Sequence, residues 1–93
     1  MSLKFEWDPF KATRNWGKHG VSFEEATSVF ADQLSATIAD PDHSDAEERF
    51  IIIGSSRQQR LLMVSFTERD DRIRIISARE LTSREKKQYE TQI

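Results

Sequence analysis

Four short runs of β-branched and apolar residues in the second part of the chain constrain its fold most. The runs cover residues 35–39, 49–55, 60–67 and 72–79. Each is bounded by polar residues, and consecutive strands with short polar connections pair most simply as antiparallel neighbours. The pattern therefore predicts a four-stranded antiparallel meander, with hairpin turns at residues 56–59 and 70–71 and a longer acidic loop at 40–48.

The residues before the meander predict a short strand followed by a helix. Residues 3–7 read as the strand, and the helix is expected to begin at Pro9 and end at His19. Asp8 can cap the first turn, and the missing N–H of proline is harmless at the first helical position. Gly20 suits the left-handed residue that ends many helices.

A second helix is expected directly after the first, because Ser22 and Glu25 form a capping box. Its apolar residues recur at helical spacing and predict a buried face, whereas Glu24 and Glu25 are expected on the solvated side. The members of the buried face are Phe23, Ala26, Thr27 and Phe30.

The C-terminal residues complete the predicted fold. Thr82 and Glu85 form another capping box and predict a final helix that carries Tyr89. The expected architecture is α+β: a four-stranded antiparallel meander with a short N-terminal strand, two N-terminal helices and one C-terminal helix. A chain of 93 residues fits one domain, so residues 1–93 are expected to form a single unit.

Composition limits the chemistry that is available to the chain. It contains no cysteine, which excludes a disulfide framework, a thiolate nucleophile and a zinc knuckle. Nothing resembles a signal peptide or an apolar run long enough to span a membrane, and the common nucleotide-binding and hydrolase motifs are absent. We therefore expect a cytoplasmic protein that works without a cofactor or a bound metal and makes no membrane contact.

Acidic residues in the loop at 40–48 offer one alternative to this metal-free chemistry. The cluster comprises Asp40, Asp42, His43, Asp45, Glu47 and Glu48. Read as a calcium loop from Asp40, it lacks the glycine of the sixth position and the glutamate of the twelfth. A solvated loop is the preferred interpretation.

The net charge of −2 conceals opposite charges in the two parts of the chain. Residues 1–48 carry four basic and ten acidic side chains, a balance of −6, whereas residues 49–93 carry ten basic and six acidic, a balance of +4. Because attraction acts over a Debye length, about 10 Å at 0.1 M salt, a cationic face can still bind an anionic partner. A merely solvated charged face is the competing explanation.

The register of the last hairpin predicts which side chains share its two faces. If Asp70 and Asp71 form a two-residue turn, opposed residues have numbers that sum to 141, and alternate residues project to opposite sides. One face is then apolar, with Leu62, Val64, Phe66, Ile73 and Ile75, and the other polar, with Ser65, Thr67, Arg69, Arg72 and Arg74. Arg79 falls on the apolar side in this register, which requires a strand end or a longer turn there.

Clustered arginines point to a phosphate ligand such as RNA, because a guanidinium stays charged and its fork of donors matches two phosphate oxygens. Cleavage of RNA without a metal requires a proton acceptor, a proton donor and cations around the phosphorus. The candidates for these roles are Arg69, Arg79, His19 and Tyr89. Alternatively, Arg69 and Arg74 form salt bridges with carboxylates of the same hairpin, and His19 and Tyr89 are structural.

Short motifs spread over nearly the whole chain match a known family in residue type and order. They are Phe5-Glu6-Trp7-Asp8, Lys11, Asn15, Lys18-His19-Gly20-Val21-Ser22-Phe23-Glu24-Glu25-Ala26, His43-Ser44, Glu47-Glu48-Arg49, Ile53-Gly54, Arg60-Leu61-Leu62, Thr67-Glu68-Arg69, Arg74-Ile75-Ile76-Ser77-Ala78-Arg79, Thr82, Glu85 and Tyr89. In this order they resemble the BrnT family. One departure is Gln58-Gln59, which stands where the resemblance would place a glycine in the turn.

The resemblance implies a RelE-like toxin of a bacterial type II toxin–antitoxin pair, a ribonuclease that stops translation. Its partner would be a ribbon-helix-helix antitoxin of the BrnA type, which binds the operon DNA and blocks the toxin or holds it in a heterotetramer. Carried over by position, the resemblance implies phosphate and transition-state contacts for Arg69 and Arg79. It implies proton transfer for His19, Tyr89 and Lys18, and substrate contacts for Lys18, Arg60, Thr67 and Arg74.

Two functions are compatible with these residues. The first is a metal-independent endoribonuclease that acts on RNA and is neutralised by its antitoxin. The second is a non-catalytic binding module, in which the same arginines dock an acidic partner or assist the antitoxin on operon DNA. Cleavage of RNA in the presence of EDTA would separate the two.

Overall fold

The computed structural model describes residues 3–40 and 47–91, which form a five-stranded sheet and three α-helices. The strands are β1 (Lys4–Glu6), β2 (Ala36–Ala39), β3 (Arg49–Ser55), β4 (Leu61–Arg69) and β5 (Arg72–Glu80). The helices are α1 (Pro9–His19), α2 (Phe23–Ser28) and α3 (Ser83–Thr91), and a short 3₁₀ turn, Val29–Ala31, follows α2. The predicted α+β class is confirmed.

The sheet is mixed, with the order β1-β5-β4-β3-β2. Its strands β2 to β5 pair antiparallel in chain order, as the meander prediction requires. The short strand β1 adds to the outer side of β5 in parallel, with Lys4 opposite Arg72 and Glu6 opposite Arg74. Beyond Arg74, no strand among the described residues pairs with this outer edge of β5. Other groups must therefore satisfy the backbone hydrogen bonds of this free edge.

Local sequence signals fix both ends of α1. The Asp8 carboxylate accepts a hydrogen bond from the Phe10 N–H at 2.8 Å, and Pro9 occupies the first turn. Gly20 ends the helix with a φ of 66°, a left-handed conformation that glycine adopts without strain. Its N–H donates to the Trp16 carbonyl at 2.8 Å. The helix has the limits that the sequence predicts.

The second helix begins as its capping box predicts, but one of its residues lies elsewhere than expected. Ser22 Oγ accepts a hydrogen bond from the Glu25 N–H at 3.0 Å, and the helix ends at Ser28. The prediction of a solvated Glu25 is wrong, because this residue is buried and only 1% exposed. Its burial is possible because Arg60, 35 residues away in the sequence, pairs with it.

A single apolar core lies between the two N-terminal helices and one face of the sheet. The buried apolar residues are Val21, Phe23, Ala26, Val29, Ile52, Leu62, Val64, Phe66, Ile75, Ala78 and Leu81. Edge-to-face aromatic pairs tie the layers together, with ring centroids 5.9 Å apart for Trp7 and Phe23 and 5.0 Å apart for Phe30 and Phe66. Throughout residues 3–40 and 47–91, every helix is too short or too polar to cross a lipid bilayer.

A β-bulge in β5 determines the direction of Arg79. The predicted register holds from the turn as far as Phe66 opposite Ile75. Ile76 is then an extra residue without a partner, and beyond it Met63 lies opposite Arg79. One extra residue reverses the alternation of side chains, so Arg79 moves from the core face to the polar face. The assignment of Arg79 to the apolar side is therefore wrong, because simple alternation assumes a strand without a bulge.

Both hairpin turns lie where the sequence predicts them. Asp70 and Asp71 connect β4 to β5, and Asp70 has a φ of 56°. In the turn between β3 and β4, Gln59 has a φ of 63°, and its N–H donates to the Ser56 carbonyl at 2.8 Å. The left-handed region favours glycine, which gives a physical reason for the glycine that the resemblance places in this turn.

The acidic loop is described only in part. Asp42, His43 and Asp45 of the candidate cation cluster lie outside the described residues, as does the motif His43-Ser44. The interpretation of this loop as solvated or cation-binding therefore stays a prediction.

Candidate functional site

The polar face of the β4–β5 hairpin carries the arginines that the sequence predicts to be functional. Strand pairing places Thr67 opposite Arg74 and Arg69 opposite Arg72, and the bulge adds Arg79 to the same face. Like charges opposite one another destabilise a sheet unless anions or carboxylates lie between them.

Carboxylates of the chain itself neutralise two of these arginines. Glu47 accepts a hydrogen bond from Arg69 Nε at 2.8 Å, and Glu6 of β1 accepts one from Arg74 Nη1 at 3.0 Å. The hydrogen bond from Arg69 lowers the pKa of Glu47 below its usual value. The structure thus contains salt bridges, although the carboxylates come from the N-terminal part of the chain and not from the same hairpin.

Arg79 is held by the first turn of α3. Its Nη1 and Nη2 atoms donate to the two carboxylate oxygens of Glu85 at 2.8 and 3.0 Å. The Thr82 N–H donates to Glu85 Oε1 at 2.9 Å, as the capping box predicts. These hydrogen bonds, that of Arg79 first, lower the pKa of Glu85 to about 2. Glu85 is therefore ionised at neutral pH and is a poor proton acceptor.

Arg69 and Arg79 are too far apart to share one phosphate. Met63, the residue opposite Arg79, precedes Arg69 by six positions along β4. At a rise of about 3.3 Å per residue, the two backbone positions are about 20 Å apart. Their guanidinium groups also bind different carboxylates, Glu47 and Glu85. The structure separates two arginines that the sequence groups in one candidate site.

A second group of cations lines a cavity of about 230 Å³ at the free edge of β5. The lining residues are Lys11, Arg14, Asn15, Lys18 and His19 of α1 with Ile76 and Ser77 of β5. One side of the helix carries Lys11, Arg14 and Lys18, because Arg14 and Lys18 follow Lys11 by three and seven residues, which is close to one and two helical turns. None of these three, nor His19, makes an ion pair or side-chain hydrogen bond within the described part of the chain. The cavity thus presents positive charge that no carboxylate of the described residues offsets.

The buried side chain of Asn15 fixes α1 against the free edge of β5. Its Nδ2 donates to the carbonyl oxygens of Val21 at 2.9 Å and Ala78 at 2.8 Å. Its Oδ1 accepts a hydrogen bond from the Ala78 N–H at 3.1 Å. The amide satisfies both backbone groups of Ala78, as a neighbouring strand would. Asn15 therefore helps to fix the position of the cavity wall formed by α1.

Arg79 lies next to the cavity. Ser77 and Arg79 are two residues apart on the same face of β5, about 7 Å along the strand. Lys18 and His19 line the same cavity from the last turn of α1. Lys18 and His19 therefore line one cavity, and Arg79 lies two residues along β5 from a lining residue, with its guanidinium bound to Glu85.

Two other predicted site residues make contacts within the protein. Thr67 is buried, and its Oγ1 donates to the Glu48 carbonyl at 2.6 Å. Arg60 donates from Nε to Glu25 at 3.0 Å and forms a second, very short contact to the same carboxylate from Nη2. The hydrogen bond from Arg60 outweighs the effect of burial and lowers the pKa of Glu25. RNA contacts of Thr67 and Arg60 stay predictions.

Tyr89 lies far from His19. Its hydroxyl donates to the Leu34 carbonyl at 2.7 Å, just before β2, and β2 forms the opposite edge of the sheet from the free edge of β5. Burial, followed by the negative charge of Asp32, raises the pKa of Tyr89 and makes its phenol a weaker proton donor. The structure does not place Tyr89 and His19 in one proton-transfer step.

Sequence reasoning missed most of the cationic side of α1. Lys11 is noted only in a motif and in the charge count, and Arg14 only as one of the four basic residues before residue 49. The spacing of Lys11, Arg14 and Lys18 along a helix is a signal that the sequence contains. What the sequence does not reveal is that β1 stops at Glu6 and leaves the adjoining edge of β5 free.

The chain is similar to known proteins in both sequence and fold. Residues 7–85 match the family model described as "Ribonuclease toxin, BrnT, of type II toxin-antitoxin system". A crystal structure of the Brucella abortus ribonuclease toxin BrnT matches with a TM-score of 0.65 and 22% identity, over 88% of this chain and 100% of that chain. No curated protein matches the sequence. Because the family model covers most of the chain, this protein belongs to the BrnT family of ribonuclease toxins of type II toxin–antitoxin systems.

Proposed function

We propose that this chain is a metal-independent endoribonuclease that cleaves RNA at the free edge of β5 and thereby inhibits translation. The observation that carries the proposal is the cavity between α1 and β5, where Lys11, Arg14 and Lys18 have no acidic partner among residues 3–40 and 47–91. Arg69, by contrast, already has a carboxylate partner. Unpaired cations in a concave site attract a phosphate backbone more strongly than paired ones.

In the proposed reaction, the ribose 2′-oxygen attacks the adjacent phosphorus while the bond from phosphorus to the 5′-oxygen breaks. His19 takes the proton from the 2′-hydroxyl, because neutral imidazole is the base best suited to neutral pH. Lys18 gives a proton to the leaving 5′-oxygen, and Lys11 and Arg14 hold the flanking phosphates. The products are a 2′,3′-cyclic phosphate and a 5′-hydroxyl end.

In the proposed reaction, Arg79 stabilises the charge that develops on the five-coordinate phosphorus. Its terminal nitrogens are occupied by Glu85, the Glu80 carbonyl and the Met63 sulfur. Its Nε–H has no acceptor within the part of the chain that the structure describes. We propose that this Nε–H, joined by Nη donors when Glu85 moves aside, binds a phosphate oxygen in the transition state.

The proposal includes a protein partner that blocks the site. A toxin of a type II system has an antitoxin, and we propose a ribbon-helix-helix protein of the BrnA type. This antitoxin would cover the cavity, hold two toxins in a heterotetramer around its own dimer and link them to operon DNA. The RelE-like classification and a cytoplasmic location belong to the same proposal, which family membership supports.

Incubation of the purified chain, freed of antitoxin, with RNA in EDTA tests the activity. An enzyme that uses only side chains should keep its rate in EDTA and leave cyclic phosphate or 3′-phosphate ends. His19→Ala and Arg79→Ala should each lower kcat at least about a hundredfold, the contribution of one positioned catalytic group.

Arg69→Ala is the matched control for Arg79→Ala, because it removes a paired arginine about 20 Å away on the same face. We expect its kcat to stay within a few-fold of the wild type. An unchanged rate for Arg79→Ala would exclude the role assigned to that residue. Intact RNA after long incubation, together with tight antitoxin binding, would favour the non-catalytic binding module.

A further inference from the structure

One guanidinium group joins three separate parts of the fold. Arg60, at the end of the β3–β4 turn, donates to the buried carboxylate of Glu25 in α2 from Nε at 3.0 Å and also from Nη2. The same Nη2 donates to the Gly20 carbonyl at 3.1 Å, and Nη1 donates to Glu80 at 3.3 Å. Ser56 Oγ adds a hydrogen bond to Glu25 at 2.6 Å. Arg60 thus connects the end of α1, the start of α2 and the end of β5.

The residues that Arg60 anchors are direct neighbours of the proposed catalytic groups. Gly20 follows His19, which lines the cavity, and Glu80 follows Arg79, which lies two residues beyond Ser77 of the cavity lining. Gly20 is the left-handed C-cap, with a φ of 66°, and a glycine gives this joint no stiffness of its own. The hydrogen bond to its carbonyl therefore restrains the direction in which α1 ends.

We propose that Arg60 is a positioning residue for RNA cleavage, which sets the distance between His19 and Arg79 without touching the substrate. The proposal rests on the proposed ribonuclease function and replaces the direct RNA contact expected from the sequence. Most of the donors of Arg60 already have acceptors in the protein, which leaves little capacity for phosphate. A displacement of about 1 Å between reacting groups can lower a rate about a hundredfold.

Arg60→Lys is the first test variant, because it keeps a positive charge beside Glu25. A single ammonium cannot replace the planar fork that reaches Gly20 and Glu80 together. We expect kcat for an RNA oligonucleotide to fall about ten- to a hundredfold, while KM stays within about threefold, because the α1 cations that bind phosphate are untouched. A large rise in KM with unchanged kcat would show instead that Arg60 binds RNA directly.

A double-mutant cycle with His19→Ala separates positioning from a general loss of structure. If Arg60 acts by placing His19, the Arg60→Lys effect should shrink to less than about threefold when His19 is already absent. An effect of the same size in both backgrounds would overturn the proposal. Should Arg60→Lys fold poorly, the paired variant Arg60→Met with Glu25→Gln removes the ion pair without leaving a buried charge unpaired.

Backbone NMR provides a readout that does not depend on RNA cleavage. In Arg60→Lys, the amide resonances of residues 18–21 and 79–81 should shift, whereas those of β2, at the far edge of the sheet, should not. Unchanged resonances at both anchored segments would refute the positioning role. An inactive wild type with the expected shifts would refute the ribonuclease function alone.

Discussion

Removal of the three cations on α1 should reduce the salt dependence of RNA binding more than any change on the hairpin. Lys11→Gln, Arg14→Gln and Lys18→Gln, combined in one variant, replace exposed helix residues with a good helix former, so the fold should persist. These side chains have no carboxylate partner within residues 3–40 and 47–91 and are therefore available to phosphate.

The expected magnitude follows from counterion release. Each phosphate contact with single-stranded nucleic acid contributes about 0.7 to the slope of log affinity against log salt concentration, so three contacts contribute about 2. Between 50 and 200 mM salt, the ratio of wild-type to variant affinity should fall about twentyfold. The wild type should bind more tightly at both concentrations, and its advantage should be largest at low salt.

Fluorescence anisotropy with 2′-O-methyl RNA measures this binding without cleavage, because the blocked 2′-oxygen cannot attack the phosphorus. Arg69→Gln is the control, since Glu47 already holds its guanidinium at 2.8 Å. The control should change the slope by less than one full contact, about 0.7. A triple variant with the wild-type slope, or an equal loss in Arg69→Gln, would refute the assignment of phosphate binding to the cavity.

Three further predictions concern stability. Asn15→Ala should lower the free energy of unfolding by at least about 2 kcal/mol, because the buried backbone groups of Ala78 lose their partner. Urea titrations measure this change, and a loss below about 0.5 kcal/mol would contradict the prediction. Gln59→Gly should raise the free energy of unfolding by about 0.5–1 kcal/mol and Tm by several degrees, because glycine adopts the left-handed backbone conformation of this position without strain. A lower Tm would contradict this prediction. The pKa of Glu85 is about 2 in the folded protein and ordinarily 4.5, so the unfolded chain binds the proton first as pH falls. The stability contributed by its pair with Arg79 is therefore present above about pH 4.5 and lost toward pH 2. Glu85→Gln should reduce the fall in Tm between these two pH values. An equally steep fall in the wild type and the variant would exclude the pair as its cause.

Features that depend on local chemistry could be predicted from the sequence. The caps at Asp8 and Ser22 set the starts of α1 and α2, and Asp70-Asp71 forms the turn between β4 and β5. Each of these depends on hydrogen bonds or backbone preferences within a few residues. The alternation of the strands likewise identified most of the sheet's core face.

Features that depend on distant partners could not be predicted. The capping position of Glu25 indicates a solvated carboxylate, and its burial is explained by partners from the distant β3–β4 turn, Arg60 and Ser56. The bulge at Ile76 leaves no signal in the spacing of apolar residues, although it decides the face of Arg79. The cavity requires both the cations of α1 and a free edge of β5, and that edge exists because β1 ends at Glu6.

The pairing of charges reverses what the charge distribution along the sequence indicates. The excess of arginine after residue 48 points to the C-terminal part as the cationic surface. Three of its arginines, however, meet acids from the N-terminal part: Arg60 meets Glu25, Arg69 meets Glu47 and Arg74 meets Glu6. These pairs use acids of the N-terminal part and leave the cations of α1 without a partner in the described part of the chain. The cavity can therefore attract phosphate although the part of the sequence that supplies its cations has a balance of −6, because folding determines which charges neutralise each other.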